Sequence, residues 1–259
     1  MRVAPAFFIH SSMGNINDTF FDGHYKQIWK TLIPEELTVK EIDFMIPHFN
    51  LQPGHKVLDL MCGYGRHAIA LAKRGINVTA VDNLGDYIEE IKLAAEKDNL
   101  PITVSRSDVL TYSIAGSFDL AICMGNSLNF FNEADTTKLL TNISAHLKTG
   151  SHLLINSWSV AEITFSKPLS NSWSRIGDFK FLTDLKLYFQ PTRMEVESIM
   201  IAPDGTEEFK KGIDYIYSLN EMEAMLNKAG LHLKETYSIP GRKKFAVGEP
   251  RIYLVAQKT

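Results

Sequence analysis

The sequence predicts an α/β fold: a doubly wound, mostly parallel seven-stranded sheet with an N-terminal helical lid and an inserted antiparallel β meander. Three observations predict it. Short apolar runs such as Val57-Leu58-Asp59-Leu60 and Leu120-Ala121-Ile122-Cys123 each lead into a helical pattern, as strands covered on both faces by crossover helices do. Between residues 179 and 217 the period drops to two, the signature of half-buried antiparallel strands. The 259 residues, 45% hydrophobic and 22% charged, suffice for one substantial core and a small appendage.

Residues 1–50 read as amphipathic helices, with Trp29 and Leu32 on one and Ile42, Met45 and Ile46 at helical spacing on the next; Thr38 and Glu41 fit a capping box for the second. Pro53-Gly54 marks a turn into strands alternating with helices. Strands are expected at 56–61, 77–81, 102–105, 118–124 and 151–156, and helices at 66–73, 86–98 and 134–147. The meander follows as strands 179–188, 193–202 and 206–217, separated by Gln190-Pro191 and Pro203-Asp204-Gly205. Ser218-Leu219-Asn220-Glu221 caps a last helix that stops at Gly230, and strands 231–238 and 251–257 close the chain. The expected units are a lid at 1–50, a core at 51–160 and 218–259, and an insertion at 161–217 that covers the cleft or makes a homodimer contact.

A net charge of -3 and the lack of any long Lys/Arg run argue against nucleic acid or anionic lipid and favour a small-molecule partner. Cys62 and Cys123 are too few for a disulfide framework or a four-ligand zinc site, so no metal is expected and a reducing, cytoplasmic setting is. Phe7-Phe8-Ile9, preceded only by Arg2, is shorter than a signal-peptide core, and no segment approaches a membrane span.

Ligands of such sheets sit beyond the carboxyl ends of the strands, where Met61, Asp82, Asp108, Met124 and Asn156 gather. Met61-Cys62-Gly63-Tyr64-Gly65 is a strand-to-helix turn in which the missing Cβ atoms of Gly63 and Gly65 allow tight turning and close ligand approach. Glycines in such a turn also serve packing alone, and Gly63-x-Gly65-x-x-Ala68 fits a nicotinamide dinucleotide as well as S-adenosylmethionine. Asp82 stands where a ribose-binding carboxylate is needed; it and Asn83 are equally placed to cap the next helix. Asp108 can accept from the exocyclic amine of adenine while Val109 packs on the ring, and Asp59 adds a third acid that suits a sulfonium better than a pyrophosphate.

From the first strand onward the chain resembles the class I S-adenosylmethionine-dependent methyltransferases, which are Rossmann-like. Residues 57–65 are similar to the family's first motif, with Met61 in place of its first glycine, and residues 118–127 to its fourth. Asp22-Gly23 followed by Trp29, together with Met124-Gly125-Asn126-Ser127 and the meander, resembles the glycine N-methyltransferase branch of small-molecule N-methyltransferases. The resemblance implies that the N-terminal segment folds over the cofactor, with Trp29 and nearby Phe20 or Tyr25 closing its methionine end. The branch's arginine for a substrate carboxylate is not matched, since Asn156-Ser157-Trp158-Ser159 occupies that stretch, so glycine is a poor acceptor.

Methyl transfer from a sulfonium needs alignment and water exclusion rather than a nucleophile. Asn126 and Ser127 are candidates to orient an acceptor amine or hydroxyl, with Trp158 as an aromatic wall; Asn126 is equally suited to satisfying the turn. His24 and His67 fall near the cleft, and neither is assigned catalysis. The expected activity is methyl transfer to a small molecule, nitrogen favoured over oxygen. Its alternatives are a nicotinamide-dependent oxidoreductase and a non-catalytic dimeric binding module on the same fold.

Overall fold

A computed structural model describes residues 14–166 and 171–259; Phe7-Phe8-Ile9 and residues 167–170 lie outside them. A single 3-10 turn, Ile16–Thr19, precedes α1 (His24–Leu32) and α2 (Glu35–His48). The chain then alternates through β1 (Lys56–Leu60), α3 (Arg66–Ala72), β2 (Asn77–Asp82), α4 (Gly85–Asp98), β3 (Ile102–Arg106), β4 (Phe118–Cys123), α5 (Glu133–His146) and β5 (Leu147–Ser157). A short α6 (Ala161–Thr164) leads to the antiparallel strands β6 (Ser172–Ile176), β7 (Phe179–Phe189), β8 (Thr192–Ile201) and β9 (Glu207–Tyr215). The chain closes with α7 (Leu219–Lys228), β10 (Leu231–Ile239), β11 (Lys243–Lys244) and β12 (Ile252–Lys258).

The main sheet has the order β11-β10-β12-β5-β4-β1-β2-β3, with β3 to β5 parallel and β12, β10 and β11 antiparallel. The last strand thus slots between β5 and β10, unlike the 3-2-1-4-5-6 order of a dinucleotide-binding sheet. The pleat sorts the core: Leu58, Leu153 and Ile155 pack toward α5 and α7, while Val57 and Leu154 pack toward α2 and α3.

Three sequence expectations are corrected. The sheet has eight strands rather than seven, because Gly241, at φ 65°, lets Lys243–Lys244 fold back on β10. The meander has four strands rather than three: β6 is exposed along most of its length, so Ser172-Trp173-Ser174 carries no inward apolar alternation to announce it. Thr38 and Glu41 form no capping box. α2 starts earlier, at Glu35 after Pro34, which places both side chains in the helix interior, buried against α3. The box Ser218/Glu221 does form and starts α7.

Candidate functional site

The sheet order reverses between β1 and β4, and a crevice at the carboxyl ends of their neighbours follows from that topology. A cavity of about 300 Å³ occupies it, roofed by the N-terminal segment and by the inner face of the second sheet.

Three residues in five after β1 are left-handed: Met61 (φ 55°), Gly63 (φ 55°) and Gly65 (φ 79°). For Met61 that conformation costs roughly 1–2 kcal/mol. The turn is pinned by Cys62 N–H to the Val81 carbonyl (3.1 Å), Gly65 N–H to the Cys62 carbonyl (3.1 Å) and Gly63 N–H to Asp82 Oδ2 (2.9 Å). The two glycines have different reasons. A Cβ on Gly63 would meet open space, leaving its backbone approachable from the cavity, whereas one on Gly65 would lie 2.5 Å from Ile91 Cγ1. Gly65 therefore lets α3 close on α4, and it is the one candidate site residue that does not line the cavity.

Asp82 ends β2 with only 7% exposure; its Oδ1 accepts from Leu84 N–H (3.0 Å) and burial raises its pKa against those backbone donors. Asn83 donates to Asp18 Oδ1 (2.9 Å) and so ties the rim to the N-terminal segment. Asp108 is exposed after β3, with Oδ1 accepting from Leu110 N–H (2.8 Å), and Val109 is buried beside it. Asp59 is buried with neither carboxylate oxygen hydrogen-bonded; burial, with Asp82 nearby, pushes its pKa up to about 7 against the pull of Arg66. Met61, Cys62 and Met124 complete this half of the wall, and burial drives the Cys62 thiol upward, consistent with packing rather than reactivity.

The other half is aromatic. Tyr25 stacks near Trp29 (6.3 Å between centroids) and Trp29 meets Trp158 (5.8 Å) above the β4 end. Asn126 is 1% exposed and its amide is committed internally: Oδ1 accepts from Trp158 N–H, Ser159 N–H and the Ser157 hydroxyl, and Nδ2 donates to Ser159 Oγ and Asp214 Oδ2. The amide's hydrogen bonds are thus taken up by protein groups rather than left free for a bound molecule. Ser127 likewise donates to the Met124 carbonyl (2.9 Å). Of the two histidines, His67 is buried against Glu41, with its pKa lowered by burial, and His24 packs on Phe179 away from the cavity lining.

Sequence reading missed the groups the second sheet and the N-terminal turn contribute. Asp214 on β9 reaches the cavity; burial pushes its carboxyl up to about 6 although Ser159 Oγ (2.8 Å) and Asn126 donate to Oδ2. Among the described residues no protein group donates to its Oδ1. Asn17 bridges the Phe130 and Ile213 carbonyls and accepts from Ile213 N–H, strapping the N-terminal turn across the opening. The only sequence signal for Asp214 was an acid at an inward position of the alternating stretch, Gly212-Ile213-Asp214.

Residues 57–150 match the family described as a methyltransferase domain. A glycine/sarcosine N-methyltransferase of Parasynechococcus marenigrum is 32% identical over 45% of this chain and 42% of its own length. A ubiquinone biosynthesis O-methyltransferase of Rickettsia typhi is 28% identical over 42% of this chain and 43% of its own. The chain thus spans less than half the length of each of these relatives. In three dimensions it superposes on an S-adenosylmethionine-dependent methyltransferase from Clostridium acetobutylicum with a TM-score of 0.78 at 18% identity, covering 91% of this chain and 96% of that one.

Proposed function

We propose, on the premise that this chain carries a class I S-adenosylmethionine-dependent methyltransferase domain, that it transfers the methyl group of S-adenosylmethionine to a small-molecule amine. The observation that carries the reading is the acidity of the cavity wall: five aspartates, Asp18, Asp59, Asp82, Asp108 and Asp214, face it against one arginine, Arg66, which Glu41 and Thr38 already hold, and a bound cation would favour the ionised form even of Asp59 and Asp214. Such a wall suits a sulfonium and an ammonium and repels a pyrophosphate.

The residues fit the cofactor part by part. Gly63 leaves its backbone open, Asp82 and Asn83 would hold the ribose hydroxyls, and Asp108 with Val109 would hold the adenine edge. Asp59, Met61, Cys62 and Met124 would line the methionine end, closed over by Tyr25 and Trp29. When bound, S-adenosylmethionine supplies an electrophilic methyl carbon. Trp29 and Trp158, in contact on the cavity wall, would exclude water and offer aromatic surface to a bound cation. Asp214, ionised above about pH 6, receives the acceptor ammonium at Oδ1 and takes its proton, so that the nitrogen presents a lone pair; Asn126 and Ser159 hold the carboxylate in place. This carboxylate is what favours nitrogen over oxygen.

Calorimetric titration with S-adenosylmethionine and, separately, NADH tests the reading. Binding of S-adenosylmethionine alone is expected, and binding of NADH alone would overturn it. Two unpaired, buried cysteines agree with a reducing, cytoplasmic setting, and among the described residues no helix is long and apolar enough to cross a membrane.

A second copy of the chain is the partner this reading assigns to the outer face of the meander. There Trp173, Leu182, Ile199 and Phe209 form one row across four strands, with Trp173 69% and Phe209 67% exposed. Sedimentation is expected to show a dimer that Trp173→Glu shifts to monomer; a monomeric wild type contradicts it.

A further inference from the structure

We infer that the acceptor is an elongated amino alcohol, its nitrogen held by Asp214 and a hydroxyl at its far end held by Ser198, with no carboxylate or phosphate. The inference rests on the amine-acceptor reading above and names its substrate class.

Ser198 is the cavity's second polar anchor. It is 1% exposed, lines the cavity, and its Oγ has no hydrogen-bond partner. Buried hydroxyls are nearly always paired, so an orphan aimed into a cavity points to a ligand group that completes it. A ligand hydroxyl, both donor and acceptor, matches the two capacities of Ser198.

Register fixes the spacing. Asp214 faces Met194 and Ser198 faces Lys210, so the two anchors lie four residues apart along β8, on the order of 13 Å. Inward side chains repeat every second residue, which puts Val196 between them on the same face, opposite Gly212, over which Phe20, another apolar side chain of the cavity lining, packs in place of a side chain. Phe181 extends the apolar floor from β7. A ligand spanning the anchors is therefore apolar in the middle and polar at both ends. Its polar ends are not anionic: among the described residues Lys210, opposite Ser198, is tied to Asp22, Glu208 and the Thr19 carbonyl and does not line the cavity, and Arg66, which does, is held by Glu41 and Thr38.

Binding to the protein saturated with S-adenosylhomocysteine, by calorimetry at pH 8, tests this with three probes: 6-amino-1-hexanol, hexylamine and 6-aminohexanoate. The amino alcohol is long enough to reach both anchors. Wild type is expected to bind it about tenfold more tightly than hexylamine, the worth of one net hydrogen bond, and 6-aminohexanoate least of the three. In Ser198→Ala that preference falls to about onefold, and Asp214→Asn weakens both amines at least about tenfold. Equal affinity for the alcohol and hexylamine in wild type, a preference that survives Ser198→Ala, or tightest binding of 6-aminohexanoate overturns the subsite while leaving the methyltransferase reading intact. Failure of S-adenosylhomocysteine itself to bind overturns both.

Discussion

Asn126 carries more of the site than its size suggests. With a left-handed backbone at the end of β4 (φ 69°), it accepts from two backbone N–H groups after β5 and donates to the Asp214 carboxylate on the cavity wall. Its amide has no capacity left for a bound molecule, so under the proposed function it acts on the acceptor through Asp214. Asn126→Ala is expected to weaken amine binding to the S-adenosylhomocysteine complex about tenfold while leaving S-adenosylhomocysteine affinity within about threefold, read by calorimetry. Equal losses for both ligands would instead mean a collapse of the β4 end. At this scale the gathering of Gly63, Asp82 and Asp108 on one cavity wall was legible in the sequence, because they are set by strand ends that a local pattern announces. Asp214 and Ser198 were not, because their positions depend on the register of β8 with β9 and on which face of the second sheet turns inward.

At the scale of elements, α2 is locked to the sheet by a buried charge cluster. Glu41 accepts from Arg66 Nη1, His67 Nε2 (2.9 Å) and the Tyr253 hydroxyl (2.7 Å), joining α2, α3 and β12. His67 and Arg66 hold its carboxyl down at about 2 despite burial. The sequence pattern Thr38-x-x-Glu41 suggested a cap because spacing alone cannot distinguish a helix's first turn from its second, whereas Pro34, which cannot donate a backbone hydrogen bond, sets the true start. Glu41→Ala leaves the largely covered Arg66 guanidinium without the carboxylate it hydrogen-bonds and is expected to destabilise by about 3 kcal/mol in urea unfolding. A loss under about 1 kcal/mol would show that the cluster is solvated and weak.

For the molecule as a whole, the acidic cavity couples stability to pH. Asp59, raised to about 7, and Asp214, raised to about 6, bind protons more tightly folded than unfolded, so their contribution is fullest below about pH 4 and declines as pH rises through those values. Glu41 runs the other way: its contribution is present above its unfolded pKa near 4.5 and is lost as pH falls toward 2. Asp59→Asn removes the first penalty. Its stability relative to wild type is expected to rise between pH 4 and 7, at a slope of at most about 1.4 kcal/mol per pH unit, measured by urea unfolding across that range. A difference that does not change with pH contradicts the buried, unpaired state of Asp59.

The parallel half of the sheet was legible from the chain, because buried strands and crossover helices write themselves as alternating apolar runs. The edges β6 and β11 were not, since exposed strands need no such pattern. What the whole fold adds is a single acidic crevice assembled from the rim of one sheet and the inner face of another, and Asp82 is its most direct test. Calorimetry of S-adenosylhomocysteine with wild type and Asp82→Ala is expected to give clear binding that the substitution weakens about a hundredfold, through loss of both the proposed ribose contact and the Gly63 tether. Unchanged affinity in Asp82→Ala, or no binding by wild type, would contradict the account.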